Sequence, residues 1–407
     1  MLFAGSISDA FASVFSTSRT EALQSPERAP ARVGVTVSTR SGVRAPLLDR
    51  RAPRSPDHCP TCDAPRSLRV AIDTSPLLQT EAGTARYLRS LLDALMEEPP
   101  VRTGQVQIDP IRFGTRWPRS KPISAARDLW YLRRLQRKAR TYDALHCPTF
   151  RGPIGSALPT IITVHDIAYL HHPDEPGGWA SRYSTRYVPR VIQAATAIIA
   201  VSGFVRDELI RTFNVSDTKI TVIHHGISGP FSPVGKRSEG DYILAVGSVV
   251  PRKNYERLIE ATADLGVELR IVAREGWGKV DLSGPHVHRI ETADDEELAS
   301  LYRGARCLAY PSLYEGFGLP ILEAMACGTP VVTSKSIATA EVAGDAAVLV
   351  DPTNVAEITA GIEAAISRAG QLRTAGFERV QAFSWAAAAQ KTLELYRQVA
   401  SDELRPA

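Results

Sequence analysis

Two glutamates, Glu315 and Glu323, stand eight residues apart on either side of a glycine-rich turn in "PSLYEGFGLPILEAMACGTPVV" (311–332). A carboxylate pair there can accept hydrogen bonds from several hydroxyls without doing acid–base chemistry. Gly316 and Gly318 let the backbone approach a ligand closely. "LPILEAMACG" predicts a helix, with Pro320 near its first turn and Gly328 just past its end. The amides of Phe317, Gly318 and Leu319 open that helix, and a helix N-terminus suits an anionic or hydroxyl-rich group. The spacing suggests two carboxylates gripping two ends of one polyhydroxyl ligand. The plainer reading makes Glu315 a solvated loop charge and Glu323 a helix-surface charge, and spacing by itself leaves both open.

Other residue types in the chain point to metal only weakly. "HCPTC" places Cys59 and Cys62 at half of a zinc spacing, but no second CxxC follows. His171-His172 and His224-His225 lack the i, i+4 spacing of a helical metal site and a third ligand nearby in sequence. They read as loop and strand-end residues. "TADDEEL" (292–298) is acidic, but it reads as an N-cap and first helical turn.

The elements that must position the glutamates are legible as alternation. "LRVAID" (68–73) is a buried-strand pattern, "GTARYLRSLLDALM" (83–96) helical, and "VQIDPIRF" extended. "ISAARDLWYLRRLQRKAR" (123–140) reads as helix, "DALHCP" and "TIITVHD" as strands. A helix over about 179–195, the strand "AIIAVS", a helix over 203–212 and the strand "KITVIHH" complete a first series. "SGPFSPVGKRSEG" (228–240) interrupts it as a linker. A second series runs through "YILAVG", "NYERLIEATADLG", "VELRIVA", "DDEELASLYRGA", "RCLAYPS", "PVVTS" and "AAVLVDP" to closing helices. Strands alternating with helices mean parallel sheets, and ligands of such sheets bind beyond the carboxyl ends of the strands. The expectation is an α/β chain of two Rossmann-like, doubly wound domains facing across a cleft. Its spans are 1–66 as a disordered extension, 67–232 and 233–383 as the two domains, and 384–407 as a closing helix and tail.

Composition fits this. A chain of 407 residues, 44% hydrophobic, has enough for two sizeable cores. It has no apolar run of about 18 residues or more, and its start lacks the basic and apolar regions of a secretory signal. Five scattered cysteines argue for a reducing compartment rather than a disulfide framework. A net charge of +4 is too mild for a nucleic-acid binder. Residues 1–66, rich in Pro, Ser and Arg and without Lys, show no sustained period.

"EGFGLPILE" resembles the E-x7-E signature of retaining glycosyltransferases of the GT-B fold, glycosyltransferase family 4 in particular. "AVGSVVPRKNYERLIEA", "ELASLYRGARCLAYPSLYEGFGLPILEAMACGTPVV", "AEVAGDAAVLVDP" and "FSWAAAAQKTLELY" resemble it in the same order. In the first half "GTARYLRSLL", "YDALHCP", "TVHDIAYLHHPD", "AVSGFVRDEL" and "KITVIHHGI" do so too, so the likeness covers about 68–398. It implies a GT-B fold with the C-terminal helix returning to the first domain. It implies transfer of a sugar from a nucleotide diphosphate sugar, carrying GDP or UDP, to an acceptor hydroxyl, with retention and without metal or cofactor.

By the family pattern Glu323 would bind the ribose hydroxyls and Glu315 the donor sugar. Arg252 and Lys253, in the loop after "YILAVG", would hold the diphosphate. Amides of Phe317, Gly318 and Leu319 would hold the sugar or phosphate. His165, in "TVHD", would touch the donor sugar. Asp166 would contact the acceptor or cap the following turn, and His225, where relatives often carry Asn, would line the cleft. Gly83 would bring the loop after the first strand near the phosphates, although this chain reads Gly83-Thr84-Ala85 where many relatives read Gly-x-Gly. Ser248 follows the strand glycine Gly247 where some relatives carry a basic residue, and Ala273-Arg274 stands where Gly is common near the base.

Two questions stay open. On a helical wheel, "RDLWYLRRLQRKAR" (127–140) gathers Leu129, Leu132, Leu135 and Ala139 on one face and its basic residues on the other. It suits a surface helix packed on the first sheet, a peripheral contact with an anionic membrane, or both. The expected setting is cytoplasmic, with that contact on the inner face of the cytoplasmic membrane and a saccharide or lipid-linked saccharide as acceptor. For activity, mannosyl transfer from GDP-mannose in polysaccharide assembly leads. The alternatives are a non-catalytic sugar-nucleotide binder and another GT-B enzyme such as an epimerase.

Overall fold

The computed structural model describes residues 67–78, 83–112, 133–156, 158–171 and 179–401. The extension 1–66 with the Cys59 and Cys62 pair, His172 and the first part of 127–140 lie outside them. Among the described residues twelve strands form two parallel sheets of six.

The first sheet has the order β2-β1-β3-β4-β5-β6, from β1 (Leu68–Asp73), β2 (Val106–Ile111), β3 (Ala144–Cys147), β4 (Thr160–Val164), β5 (Ala197–Ala200) and β6 (Ile220–Val222). Its longer helices include α1 (Gly83–Glu97), α2 (Trp179–Ala194) and α3 (Gly203–Phe213). The second has the order β12-β11-β10-β7-β8-β9, from β7 (Tyr242–Val249), β8 (Glu268–Glu275), β9 (Val287–Ile290), β10 (Leu308–Tyr310), β11 (Val331–Ser334) and β12 (Val348–Val350). Its helices are α4 (Tyr255–Thr262), α5 (Asp295–Gly304), α6 (Leu319–Ala326), α7 (Ala338–Ala343), α8 (Val355–Ser367) and α9 (Ala369–Val380). The last helix, α10 (Trp385–Ala400), packs against α1 on the first sheet, where Trp385, Ala389, Leu393 and Tyr396 share a core with Leu88, Leu91 and Ile72. Each leucine buried there contributes about 2 kcal/mol.

Strand order reverses between β1 and β3 in the first sheet and between β7 and β10 in the second. The loops leaving those strands diverge to opposite faces and leave a crevice at the carboxyl edge. The loop after β7 carries Arg252 and Lys253, and the loop after β10 carries Glu315. β9 escapes the sequence pattern because it is an edge strand with half-buried or exposed residues and no apolar run. α5 starts as its acidic stretch suggests, with Asp294 and Glu297 in a reciprocal capping box. Among the described residues no helix is long and apolar enough to cross a membrane.

Candidate active site

The loops after β7 and β10 are stitched together before any charge is considered. Leu313 N donates to the Arg252 carbonyl at 2.7 Å, and Asn254 Nδ2 donates to the Pro311 carbonyl at 2.9 Å. Arg252 Nη1 donates to the Tyr314 carbonyl at 3.0 Å. Lys253 folds back across Gly247, where an added Cβ would sit 2.9 Å from the lysine Cε. The strand-ending glycine therefore makes room for the lysine.

These contacts bring three charges to one point. Arg252 Nη1 lies 3.1 Å from one Glu315 oxygen and Lys253 Nζ 2.5 Å from the other. Lys253 also donates to the Tyr310 hydroxyl. Glu315 is 8% exposed. Burial by itself would raise its pKa, but Lys253 and Arg252 overcome that and hold it at about 2, so it is ionised. Burial pulls the Lys253 ammonium below its usual value, and Glu315 opposes that pull.

Glu323 lies on α6, 4% exposed. Tyr302 Oη of α5 donates to its Oε2 at 2.9 Å, and Arg86 Nη1, from the first turn of α1, donates to its Oε1 at 2.8 Å. Burial raises its pKa, with Arg86 and Tyr302 acting against the rise. Between the glutamates, Gly318 caps α6 at φ 114°, a conformation that favours glycine. Phe317 is buried, its ring 4.7 Å from that of His225, while Leu319 is half-buried.

The glycine loop also touches the first domain. A Cβ on Gly316 would lie 1.7 Å from the His165 carbonyl oxygen, so the two backbones are in direct contact. Ser202 Oγ donates to the Gly316 carbonyl at 2.7 Å. Tyr314 Oη accepts from Ile167 N at 3.1 Å and donates to the buried Glu208 at 2.5 Å. Glu341 of α7 accepts from Gly203 N at 2.9 Å and Phe204 N at 3.0 Å, capping α3 from the other domain, and pairs with His224 at 2.8 Å.

His165 is half-buried, its Nε2 3.0 Å from the Pro148 carbonyl oxygen, with burial holding its pKa down. Asp166 accepts from Ala168 N at 3.1 Å, which is a turn cap. His225 is 5% exposed among Tyr87, His165, Phe317 and Trp385, and both ring nitrogens lack a hydrogen-bond partner. Burial, then His165 and His224, keep it neutral. Ser248 is exposed near the end of β7, in register with Arg274. Gly83 is exposed at the start of α1 with open space around it. Arg86, Tyr302, Tyr310, Ser202, Glu208 and Glu341 were not singled out by the sequence. Arg86 stands three residues after Gly83 in "GTARY", and its side chain gains meaning only when α1 meets α6.

Two family models match the chain: "Glycosyltransferase Family 4" over residues 83–228 and "Glycosyl transferases group 1" over residues 231–376. The O-antigen chain mannosyltransferase B of Escherichia coli is 30% identical over 384 residues, covering 81% of this chain and 100% of that protein. The chain belongs to the GT-B glycosyltransferases. Sucrose-phosphate synthase from Thermosynechococcus elongatus superposes on this glycosyltransferase with TM-score 0.65 at 21% identity, covering 82% of this chain and 99% of that one. Anabaena HepE in complex with UDP-glucose does so with TM-score 0.61 at 16% identity, covering 81% and 100%. At such identities the likeness is one of fold. In this glycosyltransferase both glutamates of the glycine loop are buried and bound by cations, so neither is a solvated surface charge.

Proposed function

We propose that this glycosyltransferase moves a mannosyl group from GDP-mannose to an acceptor hydroxyl of a saccharide or lipid-linked saccharide, with retention and without metal, in cell-surface polysaccharide assembly. The observation that carries the reading is the convergence of Arg252 and Lys253 on Glu315, at the crevice where the strand order reverses. Two cations there suit a departing nucleotide diphosphate. The carboxylate between them suits sugar hydroxyls, and Glu323 with its two oxygens suits the ribose diol. The mannosyl assignment leans on the name of the E. coli relative.

The reaction is written as front-face transfer. The bond from the anomeric carbon to the phosphate oxygen breaks with its electron pair going to phosphate. The acceptor oxygen forms its bond on the same face and gives its proton to that phosphate oxygen. Trapping a glycosyl adduct on a side chain would overturn this course.

The first test is a thermal-shift panel of the full chain with GDP, UDP and ADP, with and without EDTA. A hundredfold excess over Kd stabilises by about 2.7 kcal/mol, a rise of roughly 5 °C. GDP is expected to give that rise, EDTA to leave it, and Glu323→Ala to abolish it. A shift without any turnover of GDP-mannose or another labelled GDP-sugar would favour a non-catalytic binder. No shift with any of the three nucleotides would remove the donor reading.

Peripheral contact with an anionic membrane belongs to the same proposal. In the described part of 127–140, Arg133, Arg137 and Arg140 are exposed while Leu135 and Ala139 are buried. That basic face is turned outward on a helix whose apolar face is already packed. Charge reversal at Arg133, Arg137 and Arg140 is expected to abolish sedimentation with anionic vesicles. Failure of the unaltered protein to sediment with them would remove the idea.

A further inference from the structure

Arg86 is a cation in the first turn of a helix, where the helix dipole disfavours it. Its guanidinium is nonetheless held at two points of the second domain and one of the linker. Nη1 bonds Glu323 Oε1 at 2.8 Å, Nη2 lies 3.3 Å from Asp295 Oδ2, and the group sits 5.2 Å from the centre of the Phe231 ring. An arginine carried by α1 thus reaches α5, α6 and the linker at once.

The geometry at Glu323 is selective. A carboxylate offers about four lone-pair sites on two oxygens. Arg86 takes a site on Oε1 and Tyr302 a site on Oε2, which leaves room on each oxygen for one more donor. Two adjacent acceptor sites match a vicinal diol. Arg86 and a ribose diol therefore share Glu323 rather than exclude one another.

We infer that Arg86 is a positioning residue: it fixes the Glu323 carboxylate for the ribose diol and, through that shared group, couples docking of α1 to occupancy of the donor site. This rests on the donor reading given above. The charges agree with it. Glu323 is faced by Arg86 from α1, by Tyr302 and Asp295 from α5, and by Cys327 beyond its own helix. Burial and Asp295 favour its protonated form, and Arg86 opposes them. Without Arg86 the carboxylate takes up a proton at higher pH, and its protonated oxygen then donates where a ribose hydroxyl needs an acceptor.

The test is calorimetric titration of the full chain with GDP and with 2′-deoxy-GDP, using UDP or ADP and its deoxy form if the thermal panel selects that base. In the unaltered protein the deoxy form is expected to bind about tenfold more weakly. Arg86→Met is expected to weaken GDP binding about tenfold or more, to erase most of the deoxy penalty, and to move the acid-side loss of affinity to higher pH. Arg86→Lys should recover part of each effect. Arg306→Met, which breaks an exposed pair with Asp241, should change none of them. Should Arg86→Met fail to fold, Asp295→Asn removes the second anchor and is expected to weaken GDP binding and the deoxy penalty in the same direction but less, while the acid-side loss moves to lower pH because Asp295 no longer favours protonation of Glu323. If the unaltered protein binds both nucleotides equally, the ribose role of Glu323 fails. If the deoxy penalty and the effect of Glu323→Ala hold, but Arg86→Met binds as the unaltered protein does with the same pH profile, the inference about Arg86 fails and the donor reading stands.

Discussion

Gly316→Ala is expected to lower turnover by about a hundredfold or more and nucleotide affinity by about tenfold at most. The added methyl would stand 1.7 Å from the His165 carbonyl oxygen and 3.0 Å from Asp166 Cβ. Real contacts do not fall so short, and a backbone carbonyl cannot swing aside as a side chain can. The loop cannot yield either. Ser202 holds the Gly316 carbonyl, Tyr314 is tied to Ile167 and Glu208, and Glu315 is held by two cations. Relief must come from parting the two domains by an ångström or more. Positional errors of that size cost about 10²-fold where reacting groups come from both sides of a cleft. The nucleotide contacts assigned to Arg252 and Lys253 lie on the second domain and should survive, while the Arg86 bond to Glu323 spans the two domains and is weakened. The measurement is kcat/KM beside calorimetric affinity, with small-angle scattering to detect the more open form. Turnover at the unaltered rate would mean that the contact between the glycine loop and His165 has no part in the reaction.

The contrast between what the sequence reveals and what it hides follows from how far each contact reaches along the chain. Glu315, Gly318, Glu323, Arg252 and Lys253 could be placed because each belongs to one strand–loop–helix unit. Pro320, Gly328 and the β-branched runs punctuate those units locally. The resemblance to family 4 then adds an expected ligand that spacing could not. Arg86, Tyr302, Ser202, Glu208 and Glu341 could not be placed, because their partners lie on other elements and mostly on the other domain. Arg86 is 237 residues from Glu323 in the chain. No periodicity carries that separation. His165 shows the same limit at smaller scale. Its position at a strand end was readable, but not that its carbonyl rather than its ring abuts the glycine loop. Gly226, read as part of a family pattern, has a reason that appears only with α10 in place: a Cβ there would lie 2.2 Å from the Trp385 amide nitrogen.

One consequence is that the charges assigned to the donor already pair with one another. Arg252 and Lys253 share Glu315, which leaves one net positive charge, and Glu323 is paired with Arg86. Buried charges need such partners. A diphosphate arriving at Arg252 and Lys253 must compete with Glu315, which loses least if it can turn to hydroxyls of the sugar. Exchange of partners at one buried point, rather than filling of an empty pocket, is the energetic picture of donor binding that follows.

That picture makes Lys253→Ala the sharpest test of the chemistry. The lysine is 8% exposed, crosses Gly247 and ends between Tyr310 and Glu315. Its removal takes away one of the two cations proposed to face the leaving diphosphate. Deleting one preorganised electrostatic contact of this kind costs about 10²–10³ in kcat, or roughly 3–4 kcal/mol. Stability should also fall. Glu315 contributes stability above its unfolded pKa, and that contribution is lost as pH falls through about 2. With Arg252 as its remaining ion-pair partner of the two, its pKa rises and the contribution at neutral pH shrinks. Lys253→Arg should not restore the rate, because the lysine Cε and Cδ already lie 2.9 and 3.2 Å from where a Gly247 Cβ would stand, leaving little width for a planar guanidinium. The deciding measurement is the split between kcat and KM. Negative charge grows on the phosphate oxygen as the sugar departs, so kcat should fall more than nucleotide affinity does. A raised KM with kcat unchanged would show Lys253 holding the bound donor and the departing diphosphate equally. The stabilisation of the leaving group would then have to come from Arg252 and the amides at the start of α6.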